Sequence, residues 1–222
     1  MTDIVIPIKS IATVKSRLRH FLDEPARAGL VLAMLNDLLD TIRQCDVDDV
    51  WLVAQDTSVF KMGNRFGTNN IREIQSCGYN HGVLIGLKAV PENRSVLVLP
   101  GDIPLTRPQD IDRLIQLQRT VTPAVGIVPD SNCNGTNGLS LSSPRLFSTL
   151  FGKDSFHRHQ LICKNLEIIP TIIKTKNMAL DIDTLGDILS LLSSGRACNT
   201  IDFLNVIGFH PQRYKPKIRG IA

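Results

Sequence analysis

The chain has no Cys-x-x-Cys pair; its five cysteines, Cys45, Cys77, Cys133, Cys163 and Cys198, are odd in number and widely scattered. That spacing fits neither a zinc site nor a disulfide framework, so buried or partly buried thiols in a reducing compartment are expected. Long hydrophobic runs are missing too. The opening stretch has only a short apolar run with Pro7 inside it, too short for a secretory signal, and no later segment could span a bilayer. A cytoplasmic protein without a membrane partner is expected. Low-complexity tracts and internal repeats are absent, and 222 residues suffice for one sizeable core. The net charge of +4 lies entirely in Arg213, Lys215, Lys217 and Arg219, beyond the last acidic residue, Asp202. The body is formally neutral, which argues against a basic face for nucleic acid. The tail is read first as a solvated end, with a homodimer contact or a phosphate-steering arm as the other roles open to it.

What is present reads as a soluble α/β protein. Ile4–Ile8, Val50–Ala54, Val96–Leu99 and Ala124–Val128 have the apolar character of buried strands. Ala28, Val31, Leu35, Leu38, Leu39 and Ile42 recur at helical spacing, and 57–66, 81–90 and 110–119 are further helix candidates. Strands alternating with helices imply a mainly parallel sheet covered on both faces. Ligands of such sheets bind beyond the carboxyl ends of the strands, so chemistry is sought just after each apolar run.

After the first run stand Lys9, Lys15 and Arg17 with hydroxyls between them, a loop suited to a triphosphate or simply to solvent. It lacks the glycines of a Walker loop, and no Gly-x-Gly-x-x-Gly fingerprint occurs. In Gly78-Tyr79-Asn80-His81-Gly82, Asn80 is an N-cap candidate whose amide could instead contact a base or ribose; His81 is given no role. Asp102, bracketed by Pro100 and Pro104 after the third run, suits magnesium better than a mere turn. Asp181 and Asp183 alternate onto one face of an extended segment, where a cation would relieve their repulsion; Asp183 could also cap the helix 185–192. Asn134-Gly135-Thr136-Asn137-Gly138 and Phe151-Gly152-Lys153-Asp154-Ser155-Phe156 are glycine-marked turns able to bind anions, with Ser155 a helix-cap candidate before His157 and His159.

Taken in order from Ile4 to about Leu192, these segments resemble the CofC/FbiD guanylyltransferases of coenzyme F420 biosynthesis. The resemblance rests on Val-Ile-Pro-Ile-Lys (5–9), Lys-Ser-Arg-Leu (15–18), Val-Leu-Pro-Gly-Asp-Ile-Pro-Leu (98–105), Gly-Thr-Asn (135–137), Phe-Gly-x-x-Ser-Phe-x-x-His (151–159) and Leu-Asp-Ile-Asp-Thr (180–184). It implies a single-domain α/β/α sandwich around a mixed, mostly parallel sheet, like nucleotide-diphospho-sugar transferases. The implied reaction joins GTP to 2-phospho-L-lactate, phosphoenolpyruvate or 3-phospho-D-glycerate with release of pyrophosphate. By the same resemblance Lys15, Arg17 and Asp102 are the catalytic set. Lys9, Asn80, Thr136, Asn137, Gly152 and Ser155 bind substrate, and Asp102, Asp181 and Asp183 hold Mg2+. His81 and Gly138 depart from the family's commoner residues and are expected to bear on acceptor choice. Residues 1–194 are expected to form the catalytic domain and 195–222 a C-terminal extension. A different nucleotidyltransferase, or a non-catalytic nucleotide-binding subunit, are the competing expectations.

Overall fold

The computed structural model describes residues 1–11, 15–75, 77–120 and 123–209. The basic tail residues Arg213, Lys215, Lys217 and Arg219 lie outside that range. The first half runs β1 (Thr2–Pro7), α1 (Glu24–Ile42), β2 (Val50–Ala54), α2 (Thr57–Phe66), β3 (Asn69–Arg72), α3 (Tyr79–Ala89) and β4 (Ser95–Val98). It continues through α4 (Pro108–Thr120), β5 (Val125–Pro129), β6 (Thr136–Leu141), α5 (Ser155–Asn165), β7 (Thr171–Ile172), α6 (Lys176–Ala179), α7 (Leu185–Ser193) and α8 (Asn199–Val206). The strands form one sheet in the order β3-β2-β1-β4-β6-β5-β7. β6 runs antiparallel to β4 and β5, and the other pairings are parallel. The sheet is therefore mixed and mostly parallel.

Alternation along β1 divides the core into two layers. Ile4 and Ile6 join a cluster with Leu30, Met34 and Leu38 of α1, Ile111 of α4, Ile188 of α7 and Leu204 of α8. Val5 faces the opposite side, with Val83 and Leu87 of α3, Val98 of β4 and Phe156 of α5. Asp23 starts α1 by accepting the Ala26 N–H, with Pro25 in the first turn, where its missing N–H costs nothing.

Residues 199–206 are packed into the first of these layers. Leu204 is fully buried, and the Asp37 carboxylate of α1 accepts the N–H groups of Asn199 and Thr200 at 2.7 and 2.9 Å. The short strands β3 and β7 have no counterpart among the strand candidates: β3 begins with two asparagines and β7 has only two residues. Cys77 is exposed, unlike the other cysteines, because it lies in the loop before α3.

Candidate active site

β1 and β4 are neighbours at the centre of the sheet, and the chain leaves both at the same edge. A Cβ at Gly101 would lie 2.3 Å from Ile8 Cδ1, so a larger residue there would have to displace the end of the Ile8 side chain. Asp102 follows at once. Its backbone carbonyl accepts the Ile182 N–H at 3.1 Å, which pins the Asp181–Asp183 segment beside it. Asn137, on β6, holds that segment from the far side: its Nδ2 donates to the carbonyls of Met178 and Ala179 and to Asp181 Oδ1.

The result is a cleft of about 940 Å³ lined by every residue given a catalytic, substrate-binding or metal-binding role above: Lys9, Lys15, Arg17, Asn80, Asp102, Thr136, Asn137, Gly152, Ser155, Asp181 and Asp183. Their surroundings refine several expected roles. Asn80 does not cap α3, since Gly78, at φ +92°, occupies the cap position. The Asn80 amide instead clasps the Phe151 backbone, donating to its carbonyl at 2.9 Å and accepting its N–H at 2.7 Å. That clamp fixes the turn at Gly152, whose φ of +111° excludes side chains with a Cβ at little strain. Asn137 has its donor hydrogens occupied by the Asp181 segment, so its evident work is to position that carboxylate. Ser155 is the first residue of α5 rather than its cap, which is Asp154. Asp183 does not cap α7; Thr184 does, in a reciprocal box with Asp187. His81 pairs with Glu73, and Gly138 sits under Val128 and Met178; neither lines the cleft.

Lys15 is the electrostatic hinge of the site. Its side chain is 2% exposed, and its ammonium donates to Asp102 Oδ2 at 2.5 Å and Asp183 Oδ1 at 2.7 Å. Its backbone is left-handed (φ 57°), a conformation that costs a side-chain-bearing residue about 1–2 kcal/mol and persists only where the surroundings hold it. Burial opposes the charged form, yet the two carboxylates outweigh it and raise the pKa to about 12. Burial likewise pushes Asp183 upward, but Lys15, Arg17 and Lys9 hold it below the ordinary carboxylate range. Asp181 is moved the other way, raised by burial with added repulsion from Asp102 and Asp183. Arg17, largely exposed, lies 3.9 Å from Asp183 at the mouth.

Among the described residues, two buried polar atoms in this cleft have no hydrogen-bond partner: Asp102 Oδ1 and the Tyr79 hydroxyl. Tyr79 stands between the two walls, with the Lys9 ammonium 5.8 Å from its ring centroid and Phe151 packed edge-on at 5.2 Å. Among the described residues, no three His, Cys, Asp or Glu side chains are close enough as they stand to hold a metal ion. The donor set nonetheless suits a hard cation: an unpaired carboxylate oxygen on Asp102 beside the charge-strained Asp181. Sequence reasoning passed over Tyr79 and gave His159 no role. The spacing of Ser155 and His159, four apart on one helix, was the available signal for the second.

The fold is shared with the crystal structure of a putative nucleotide-diphospho-sugar transferase from Desulfovibrio desulfuricans G20, which superposes with a TM-score of 0.76 at 15% identity, covering 96% of this chain and 97% of that one. A nucleotidyl transferase from Methanothermobacter gives a TM-score of 0.69 at 13% identity, covering 93% and 99%. The chain belongs to the CofC-like guanylyl transferase family, whose model matches residues 2–218. It is 30% identical to the phosphoenolpyruvate guanylyltransferase of Roseiflexus castenholzii, over 84% of this chain and 86% of that protein. It is 29% identical to the 3-phospho-D-glycerate guanylyltransferase of Phenylobacterium zucineum (84% and 88%) and 28% identical to the 2-phospho-L-lactate guanylyltransferase of Methanosphaera stadtmanae (90% and 88%).

Proposed function

We propose that this guanylyltransferase transfers GMP from GTP to a three-carbon phospho acid, with magnesium, in the making of coenzyme F420. The observation that carries this reading is the make-up of one cleft. Lys15 bridges the carboxylates of Asp102 and Asp183 there, and the hydroxyls of Thr136 and Ser155 with the backbone at Gly152 line the same cleft. A triphosphate fits the first group and a small oxyanion the second.

The acceptor's phosphate oxygen is already anionic and needs no general base. It attacks the α-phosphorus of GTP, a new P–O–P bond forms, and the bond to the β-phosphate oxygen breaks with pyrophosphate as the leaving group. Reactions of this kind rest on positioning and charge neutralisation. Asp102 and Asp181, with Asp183, would hold magnesium, which when bound neutralises phosphate charge. Lys15 and Arg17 face the developing charge on pyrophosphate, and Lys9 extends the cationic wall. Thr136, Ser155 and the backbone at Gly152 present donors to the acceptor. Asn137 keeps Asp181 in register, and Asn80 keeps the Gly152 turn in shape. Mass-spectrometric detection of the guanylylated acid, formed in step with pyrophosphate, tests the proposal; hydrolysis of GTP without such a product would defeat it.

A further inference from the structure

His159 lies on α5, fully buried, and does not itself line the cleft. Its two ring nitrogens are both engaged. The Leu150 N–H, which can only donate, points at Nε2 from 3.0 Å, so Nε2 must be the unprotonated acceptor. A neutral imidazole carries one proton, which is thereby on Nδ1. Nδ1 lies 3.0 Å from the Thr136 hydroxyl oxygen, which accepts it. An oxygen that accepts from histidine keeps its own hydrogen for another partner, and no other partner of this hydroxyl occurs among the described residues. Thr136 opens β6 at the cleft wall and is 7% exposed; Ser155, which lines the same cleft, precedes His159 by one helical turn.

We propose that His159 is a positioning residue: as a neutral Nδ1–H tautomer it orients the Thr136 hydroxyl so that its hydrogen is donated to an anionic oxygen of the bound acceptor. The inference rests on the acceptor reading given above. The ring's seat supports it: Phe151 packs edge-on at 5.0 Å, and Phe147 lies at 6.2 Å. Burial, with the Arg158 charge, lowers the imidazole pKa to about 4, so the neutral form persists at neutral pH. The same tautomer ties strand β6 to the loop before Gly152, so both walls of the acceptor pocket depend on one ring.

Two substitutions divide the ring's functions. In His159→Asn the side-chain amide nitrogen takes the place of Nδ1 and still donates to Thr136. In His159→Gln the amide oxygen takes the place of Nε2 and accepts from Leu150, leaving Thr136 without its donor. The expected result is an acceptor KM raised about 5–10-fold in the glutamine variant, about the worth of one oriented hydrogen bond, and less than about 3-fold in the asparagine variant. The GTP KM stays unchanged in both. Equal losses in the two variants, or none in His159→Gln, would overturn the proposal. Long-range 1H–15N correlation of the wild-type protein reads the tautomer without turnover. A protonated Nδ1 and bare Nε2 at neutral pH are expected, and an Nε2–H ring or an imidazolium refutes the inference even if no acceptor is ever turned over. Absence of turnover with every phospho acid, with the Nδ1–H tautomer observed, would instead defeat the acceptor reading and leave the ring's geometry standing.

Discussion

Replacing Lys15 with methionine removes the ammonium from between Asp102 and Asp183 while keeping most of the side chain's volume. Breaking a fully buried pair costs about 3–5 kcal/mol, and an exposed one is worth about 0–1 kcal/mol. Here the lysine is 2% exposed but Asp102 is 27% and Asp183 44% exposed, so water shares in solvating the abandoned carboxylates. An intermediate loss of about 2 kcal/mol follows, which for a domain of this size lowers Tm by about 4–8 °C. That holds for protein kept in a chelator. In Lys15→Met, added magnesium no longer competes with the buried ammonium for Asp102 and Asp183, so its stabilisation through preferential binding to the folded state should exceed that of the wild type. Differential scanning calorimetry of both proteins, with chelator and with excess magnesium, measures both effects. A variant as stable as the wild type in chelator would refute the electrostatic reasoning. A variant that gains no more from magnesium than the wild type would refute the metal assignment to Asp102, Asp181 and Asp183.

Asp102→Asn should cut pyrophosphate release by at least about 100-fold, with an unchanged circular dichroism spectrum, because the backbone bond from Ile182 does not use the side chain. Tyr79→Phe removes a buried hydroxyl that has no partner and should stabilise the ligand-free protein by about 1 kcal/mol in denaturant titrations. The lowered His159 pKa means that the unfolded chain binds a proton there which the folded chain refuses. Stability should fall as pH drops from about 6.5 toward about 4, by up to about 3 kcal/mol from this group. His159→Asn should flatten that slope in urea unfolding across the same range.

That these loops share one cleft was legible in the sequence because several of them follow an apolar run, and an α/β sheet delivers such loops to one edge. Helix α2 was legible to its ends, since Asp56 and Gly67 bracket an amphipathic run. Asn80 was misplaced as a cap because its partner, Phe151, lies 71 residues away and leaves no local trace. Lys15 was readable as a cation beside phosphates but not as the counter-ion of Asp102 and Asp183, 87 and 168 residues distant. Asn137 was read as a substrate-binding residue in a polar turn, and its contact with Asp181 depends on α6 folding back across β6. The residues 195–209 gave no helical signal strong enough to read, and their place against α1 depends on Asp37, a buried carboxylate that only tertiary structure explains. What the sequence hid, in each case, was a polar contact made across the fold.

The central claim is tested most directly by pyrophosphate release from GTP and magnesium, with 2-phospho-L-lactate, phosphoenolpyruvate and 3-phospho-D-glycerate offered separately. Release that depends on one of these acids, and does not occur with GTP alone, is the predicted result. A folded protein that binds GTP but releases no pyrophosphate with any of the three would contradict it.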